Sequence, residues 1–330
     1  MSAAGLASAQ RPSSGLRPAQ LPRDLAAIAD LIEFCFAPTL DASGRSAIHE
    51  MRLLGRSGPV GWTLGRLSTA VPGMMTGFVW VEHGRLVGNV SVTPAGFGRG
   101  WIIANVAVHP DYRRRGIARQ LMHAALDLVE QRGAFAILQV DADNDGARAL
   151  YEQLGFAEQR TFTRWRRATH LRLPDGNTPP LAARRMARSD AGGVAELARR
   201  VRPNERGGMG WLRPNDPSQL RPVRWPTLWR LVSGRSVTTW VVPGPDGAVD
   251  AALHHETRLG GSTTLFDLLV RPERQGELEA PLIAGLIQRA GGWTQPLVTE
   301  HPADDEAASD ALREFHFRPE RALVHMIRQR

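Results

Sequence analysis

The stretch Val106-Ala-Val-His-Pro-Asp-Tyr-Arg-Arg-Arg-Gly-Ile-Ala-Arg119 decides the fold. The β-branched run Trp101 to Val108 predicts a strand, and a turn follows it. Arg113-x-x-Gly116-x-Ala118 then opens an amphipathic helix over residues 116–131, with Leu121, Ala125 and Leu128 on one face. A strand that enters a helix through a glycine turn leaves several N–H groups unpaired at the helix start. With the positive end of the helix dipole, these donors form an anion site. Gly116 has no Cβ, so a phosphate can approach the main chain, and Ala118 is nearly as small.

Downstream, Leu138-Gln-Val140 predicts the next strand, followed by Asn144, Ala147, Leu150-Tyr151 and Gly155-Phe156. The pattern Arg/Gln-x-x-Gly-x-Gly/Ala after Val-x-Val-x-Pro resembles the acetyl-CoA site of the GNAT acetyltransferase superfamily. The downstream residues stand at the spacing of that superfamily's second cofactor segment. One glycine turn is weak evidence; two segments in order, a helix apart, are strong. The resemblance is close over residues 101–160 and looser over 15–100.

The resemblance implies an α/β fold with a mixed central sheet flanked by helices, and acetyl-CoA as co-substrate. It places the pantetheine arm beside Val106, Ala107 and Val108. The pyrophosphate falls on the amides of Arg113, Arg114, Arg115, Gly116, Ile117, Ala118 and Arg119. It implies contact of Asn144 with the CoA arm and makes Tyr151 the acid that protonates the departing thiolate. A phenol with a pKa near ~10 holds its proton at neutral pH. The plainer readings stay beside these: a solvated arginine turn, an N-cap at Asn144, a packing tyrosine at 151. No residue is named as base.

Composition bounds the alternatives. A chain of 330 residues, 42% hydrophobic and 22% charged, predicts about two soluble domains. No apolar run approaches the ~20 residues that span a bilayer. The one cysteine, Cys35, lies in an apolar helix and reads as a buried small hydrophobe. Cytoplasmic placement is the expectation. The formal charge is +8, but every cation is an arginine and none forms a block interleaved with aromatics. This argues against a nucleic-acid partner. His254-His255-Glu256 puts neighbouring side chains on opposite faces of a strand, so no metal is expected.

Along the chain, residues 1–14 predict a flexible tail. A strand at Leu16-Arg17, a helix from Pro22 to Phe36 and a helix from Asp41 to Leu54 come next, with Pro22 in a first helical turn and Asp41 as N-cap. A hairpin turns at His83-Gly84, and a strand over Arg160 to Arg167 closes the first lobe. Residues 173–180 predict a linker. Residues 181–330 repeat the order: an offset of 162 separates Pro110 from Pro272, and 161 separates Phe156 from Phe317. Two tandem GNAT folds are therefore expected, over 15–172 and 181–330. The layout resembles mycothiol synthase but carries its intact cofactor motif in the first lobe. In the second copy Gly116 becomes Leu278 and Arg113 becomes Gln275, with Glu277 and Glu279 in the turn; no CoA is expected there. Segment 202–235, with Trp211, Trp225 and Trp229, reads as an interface, a lid or an acceptor wall.

The expected activity is direct transfer of an acetyl group to a primary amine, with a small molecule as the acceptor. A homodimer is left open. Two other readings stand: a non-catalytic acyl-CoA sensor or adaptor, and an acetylase of a nucleic-acid- or ribosome-associated substrate.

Overall fold

At the tip of the first hairpin His83 and Gly84 both take positive φ, 47° and 77°. That pair of conformations matches the twist of two antiparallel strands joined by two residues. It joins β2 (Thr76–Glu82) to β3 (Arg85–Pro94). The computed structural model describes residues 14–37, 40, 42–56, 76–95, 100–169, 171, 183–203, 235–258, 263–289 and 295–329. The expected tail over residues 1–13, the Asp41 cap, the linker over 173–180 and most of segment 202–235 lie outside them.

The chain packs as two units, one of residues 1–93 and 103–132, the other of 94–102 and 133–330. In the first, β1 (Gly15–Pro18) pairs antiparallel with β2, β2 with β3, and residues 103–108 of β4 (Gly100–Val108) lie beside β3. Helices α1 (Leu25–Phe36) and α2 (Ala42–Arg56) pack together, burying Ile28, Ala29, Ile32 and Ile48 against Val79 of β2. Helix α3 (Ile117–Gln131) buries Ile117, Leu121, Met122, Ala125, Leu126 and Val129, a stripe at helical spacing. A Cβ on Gly88 of β3 would lie 3.0 Å from Ile117, Leu121 and Trp80, so the glycine lets α3 approach the strand. Pro22 is not in the first helical turn. The helix begins at Leu25, and Asp24 before it turns its carboxylate to the Gln20 N–H at 2.7 Å and to Arg17 at 2.6 and 2.9 Å.

The second unit holds β5 (Phe135–Asp141), α4 (Asp145–Gln153), β6 (Ala157–Arg167), β7 (Arg184–Arg185), α5 (Ala191–Val201), β8 (Arg235–Pro243) and β9 (Val249–Arg258). It continues with β10 (Thr264–Val270), α6 (Glu279–Arg289), β11 (Leu297–Pro302), α7 (Glu306–Glu314) and β12 (Arg318–Arg328). From β5 onward the strand order is β5-β12-β6-β11-β10-β9-β8-β7. The duplication is visible in the element bounds: α4 and α7, and β6 and β12, stand 161 residues apart end for end.

The order corrects one expectation. β6 does not close the first repeat. The last strand, β12, inserts between β5 and β6, pairing antiparallel with both, and β6 pairs with β11 of the second repeat. The two repeats therefore exchange their final strands. Alternation gives each strand its faces but carries no information about which edge it joins.

Candidate active site

The turn after β4 is exposed, and its backbone is built for close approach. Arg114 and Gly116 both have positive φ, 64° and 74°. A Cβ on Gly116 would meet nothing within 4 Å. Gly116 stands at the N-cap of α3 with no side-chain cap. Among the described residues, none accepts a hydrogen bond from the N–H groups of Arg114, Arg115, Gly116, Ile117 or Ala118. The first helical bond runs from the Gln120 N–H to the Gly116 carbonyl at 3.1 Å. Five amides thus stand unengaged at the positive end of a helix of four turns.

The arginines divide by role. The Arg113 N–H bonds to the Pro110 carbonyl at 3.1 Å, and its Nε donates to the Val108 carbonyl at 3.1 Å. Arg113 therefore closes the turn, and the unpaired amides begin at Arg114. Arg115 donates to the Asp111 carbonyl at 3.1 Å and lies 5.0 Å over the Tyr112 ring. Arg114 and Arg119 are exposed in the same turn. The ring of His109 holds this arrangement: it stacks on Phe34 at 4.9 Å, meets Tyr112 edge-on at 5.9 Å and accepts from the Asp111 N–H at 3.4 Å. His109 passed in the sequence as one letter of the motif.

Upstream, Ala107 of β4 is buried between half-buried Val106 and Val108. The Val108 carbonyl also receives the Cys35 thiol at 3.6 Å, and burial raises that thiol's pKa, so Cys35 is a packed, protonated side chain. Within the first unit, residues 103–108 have β3 on one side and form the unit's edge strand on the other. Asn105 interrupts the strand with φ 53°, the left-handed conformation of a bulge. Asn89 Nδ2 donates to the Asn105 carbonyl at 2.9 Å and to Ser91 Oγ at 3.3 Å, and Asn105 Nδ2 reaches the same hydroxyl at 3.3 Å. Asn89 and Ser91, two residues apart on one face of a valine-rich strand, were the available signal, and the sequence reading passed over them.

Asn144 and Tyr151 belong to the second unit. The Asn144 side chain accepts the Ala147 N–H at 3.1 Å, so the plainer reading of Asn144, an N-cap, is realised at Oδ1. Tyr151 is 7% exposed, lies edge-on to Phe156 at 6.0 Å, and burial pushes its pKa up to about 12. Its hydroxyl has no hydrogen-bond partner among the described residues.

The corresponding positions of the second repeat are filled by side chains. The parallel ladder of β4 and β5 ends at Ile102–Ile137, and that of β10 and β11 ends at Leu265–Val298. Beyond it Arg202, 2% exposed, donates to the Leu268 carbonyl of β10 at 3.0 Å and to the Glu300 carbonyl of β11 at 3.5 Å. It also meets His301 Nδ1 at 2.9 Å and Asp267 at 3.4 Å, and His301 Nε2 reaches Asp305 at 2.9 Å. Burial lowers the His301 pKa despite Asp305. In the turn, Gly276 (φ 85°) matches Arg114, and its N–H donates to Glu279 Oε2 at 2.8 Å. Glu279 is 1% exposed, and burial raises its pKa. Glu277 pairs with Arg274 at 2.8 Å, and Leu278, in the place of Gly116, is core.

His254 bonds to Thr239 Oγ1 at 2.9 Å, and burial lowers the His255 pKa to about 4. Among the described residues no His, Cys, Asp and Glu group is arranged to hold a metal, and no helix is long and apolar enough to cross a membrane.

Residues 61–156, which contain the turn, the bulged strand and Tyr151, match the Acetyltransferase (GNAT) family. This segment resembles the GNAT family in sequence. It is 49% identical over 55 residues to the [ribosomal protein bS18]-alanine N-acetyltransferase of Escherichia coli, a match covering 16% of this chain and 37% of that protein. It is 37% identical over 93 residues to N-alpha-acetyltransferase 30 of Schizosaccharomyces pombe, covering 27% and 61%. The chain thus spans less than two thirds of either relative. The GNAT fold extends over both repeats. A GCN5-related N-acetyltransferase from Sphaerobacter thermophilus superposes with a TM-score of 0.63 at 17% identity, covering 96% of each chain. A tandem GNAT protein from the clavulanic acid biosynthesis pathway gives 0.58 at 18%, covering 95% of this chain and 98% of that one.

Proposed function

We propose that the chain is an acetyl-CoA-dependent N-acetyltransferase whose cofactor site lies in the first repeat. The observation that carries this is the exposed turn of five unengaged amides at the start of α3. The CoA pyrophosphate sits on the N–H groups of residues 114–118, with Arg119 in the same helical turn. The pantetheine arm lies along the edge of Val106, Ala107 and Val108, as an added strand would. Asn144 contributes its Nδ2 to the arm while Oδ1 caps α4.

The reaction is direct transfer to a primary amine. A neutral amine attacks the thioester carbonyl, forming the C–N bond, and the Val106 N–H stabilises the oxyanion. The C–S bond then breaks, the thiolate takes the proton of Tyr151, and the proton that the nitrogen sheds in becoming the amide restores the phenol. A phenol raised to about 12 by burial stays protonated through the neutral range. Tyr151→Phe is expected to lower kcat by about 100-fold and leave acetyl-CoA affinity within about threefold. The ionisation of Tyr151 puts no alkaline limb on the profile below about pH 11. Steady-state rates against pH and a fluorescence titration with acetyl-CoA check both; unchanged kcat removes Tyr151 from the reaction.

The acceptor is a small-molecule amine in the leading reading. The names of the two relatives favour a second, the α-amine of a protein N-terminus. Thiol release from acetyl-CoA, measured with a panel of small amines and of short peptides beginning with alanine or methionine, separates them. Saturable binding with no release for any amine would replace both with a cofactor-binding adaptor.

A further inference from the structure

The bulge in β4 is set by a side chain on the neighbouring strand. A peptide unit is planar and trans, so its C=O and N–H point in opposite directions. The carbonyl of Asn105 accepts Asn89 Nδ2 of β3 at 2.9 Å. The N–H in that same peptide unit belongs to Val106, and it therefore points away from β3, off the edge of the first unit. A regular ladder would give the Asn105 carbonyl a main-chain partner. Here the residue is left-handed, φ 53°, and the Asn89 side-chain amide donates to that carbonyl.

Asn89 is itself fixed. It is 1% exposed, and its other bond goes to Ser91 Oγ, which also meets Asn105 Nδ2. Both amides can donate to that hydroxyl, which fills its two acceptor positions. The hydroxyl is thereby used up as an acceptor and is not available to take a proton from an incoming amine. The trio is a clamp on one peptide unit.

We infer that Asn89 is a positioning residue that aims the Val106 N–H at the thioester carbonyl. The inference rests on the acetyltransferase reading above. Asn89 touches neither cofactor nor acceptor. Its contribution is realised where negative charge develops on the carbonyl oxygen, so it enters kcat and not cofactor affinity.

Three variants test this, each read by kcat, KM, acetyl-CoA affinity and thermal melting. Asn89→Ala removes the donor and is expected to lower kcat by about 100-fold, the loss typical of one oxyanion donor, with acetyl-CoA Kd within about threefold. Asn105→Gly keeps the carbonyl and adopts the left-handed conformation without strain, while losing the bond to Ser91, so its loss of kcat is expected to be smaller than that of Asn89→Ala. Asn105→Val is disfavoured in that conformation and is expected to share the loss of Asn89→Ala. It also serves if Asn89→Ala fails to fold. Parent-like kcat in Asn89→Ala, or equal losses of kcat and cofactor affinity in Asn89→Ala and Asn105→Val, overturns the inference. A parent protein that binds acetyl-CoA but acetylates no amine overturns the acetyltransferase reading instead.

Discussion

Gly116→Glu is expected to weaken acetyl-CoA binding by about 1000-fold or more while leaving the fold in place. The two halves of that statement rest on different observations. A Cβ at this position meets nothing within 4 Å, so the new side chain has room in the unliganded protein. The cost to the fold is a left-handed φ of 74° on a residue with a Cβ, about 1–2 kcal/mol. The carboxylate, however, enters the space that five amides and a helix dipole offer to a phosphate, and it brings the same sign of charge. Gly116→Ala separates sterics from charge: it carries the same backbone cost and no carboxylate, and is expected to lose about tenfold at most. Calorimetric titration with acetyl-CoA, beside a thermal melt, reads both. Retained affinity in Gly116→Glu removes the phosphate turn.

Arg202→Ala is expected to destabilise the chain by about 3–5 kcal/mol, read as a shift of the urea midpoint. The guanidinium serves two main-chain carbonyls, of Leu268 and Glu300, together with His301 and Asp267. Its removal leaves a buried carboxylate beside a buried imidazole and two acceptors without their donor, which costs more than the contacts themselves supplied. The offset between repeats gives this arrangement its meaning. Leu268 matches Val106, and Glu300 matches Gln139, so Arg202 lies on the track assigned to pantetheine in the first repeat. Glu279 likewise answers the Gly276 amide where the first repeat offers its amides to a phosphate. On the proposed placement of the cofactor, Arg202 and Glu279 take in the second repeat the positions of its two ends. A midpoint unchanged in Arg202→Ala contradicts this reading.

Much of this was legible in the chain because short-range chemistry dictates it. The His83-Gly84 turn, the Gly116 turn and the alternation of β3 are set by local backbone preferences, and the repeat offset survives to the residue in α4 and α7. What escaped involves partners distant in sequence. The period of β6 says which residues face inward but not that β12 inserts beside it. Arg113 looked like a phosphate ligand, whereas its bond to the Val108 carbonyl makes it part of the turn. Arg202 was one cation among many, and only burial distinguishes it. Asn89 sat in a strand whose alternation already accounted for it, and its use depends on a carbonyl 16 residues away.

The most direct test of the central claim is an amide nitrogen–proton correlation spectrum of the full chain titrated with acetyl-CoA. The expected result is saturable downfield shifts at the N–H groups of residues 114–118, with the Gly276 resonance unmoved. Saturation of binding with residues 114–118 silent, or with Gly276 shifting alongside them, would contradict the account.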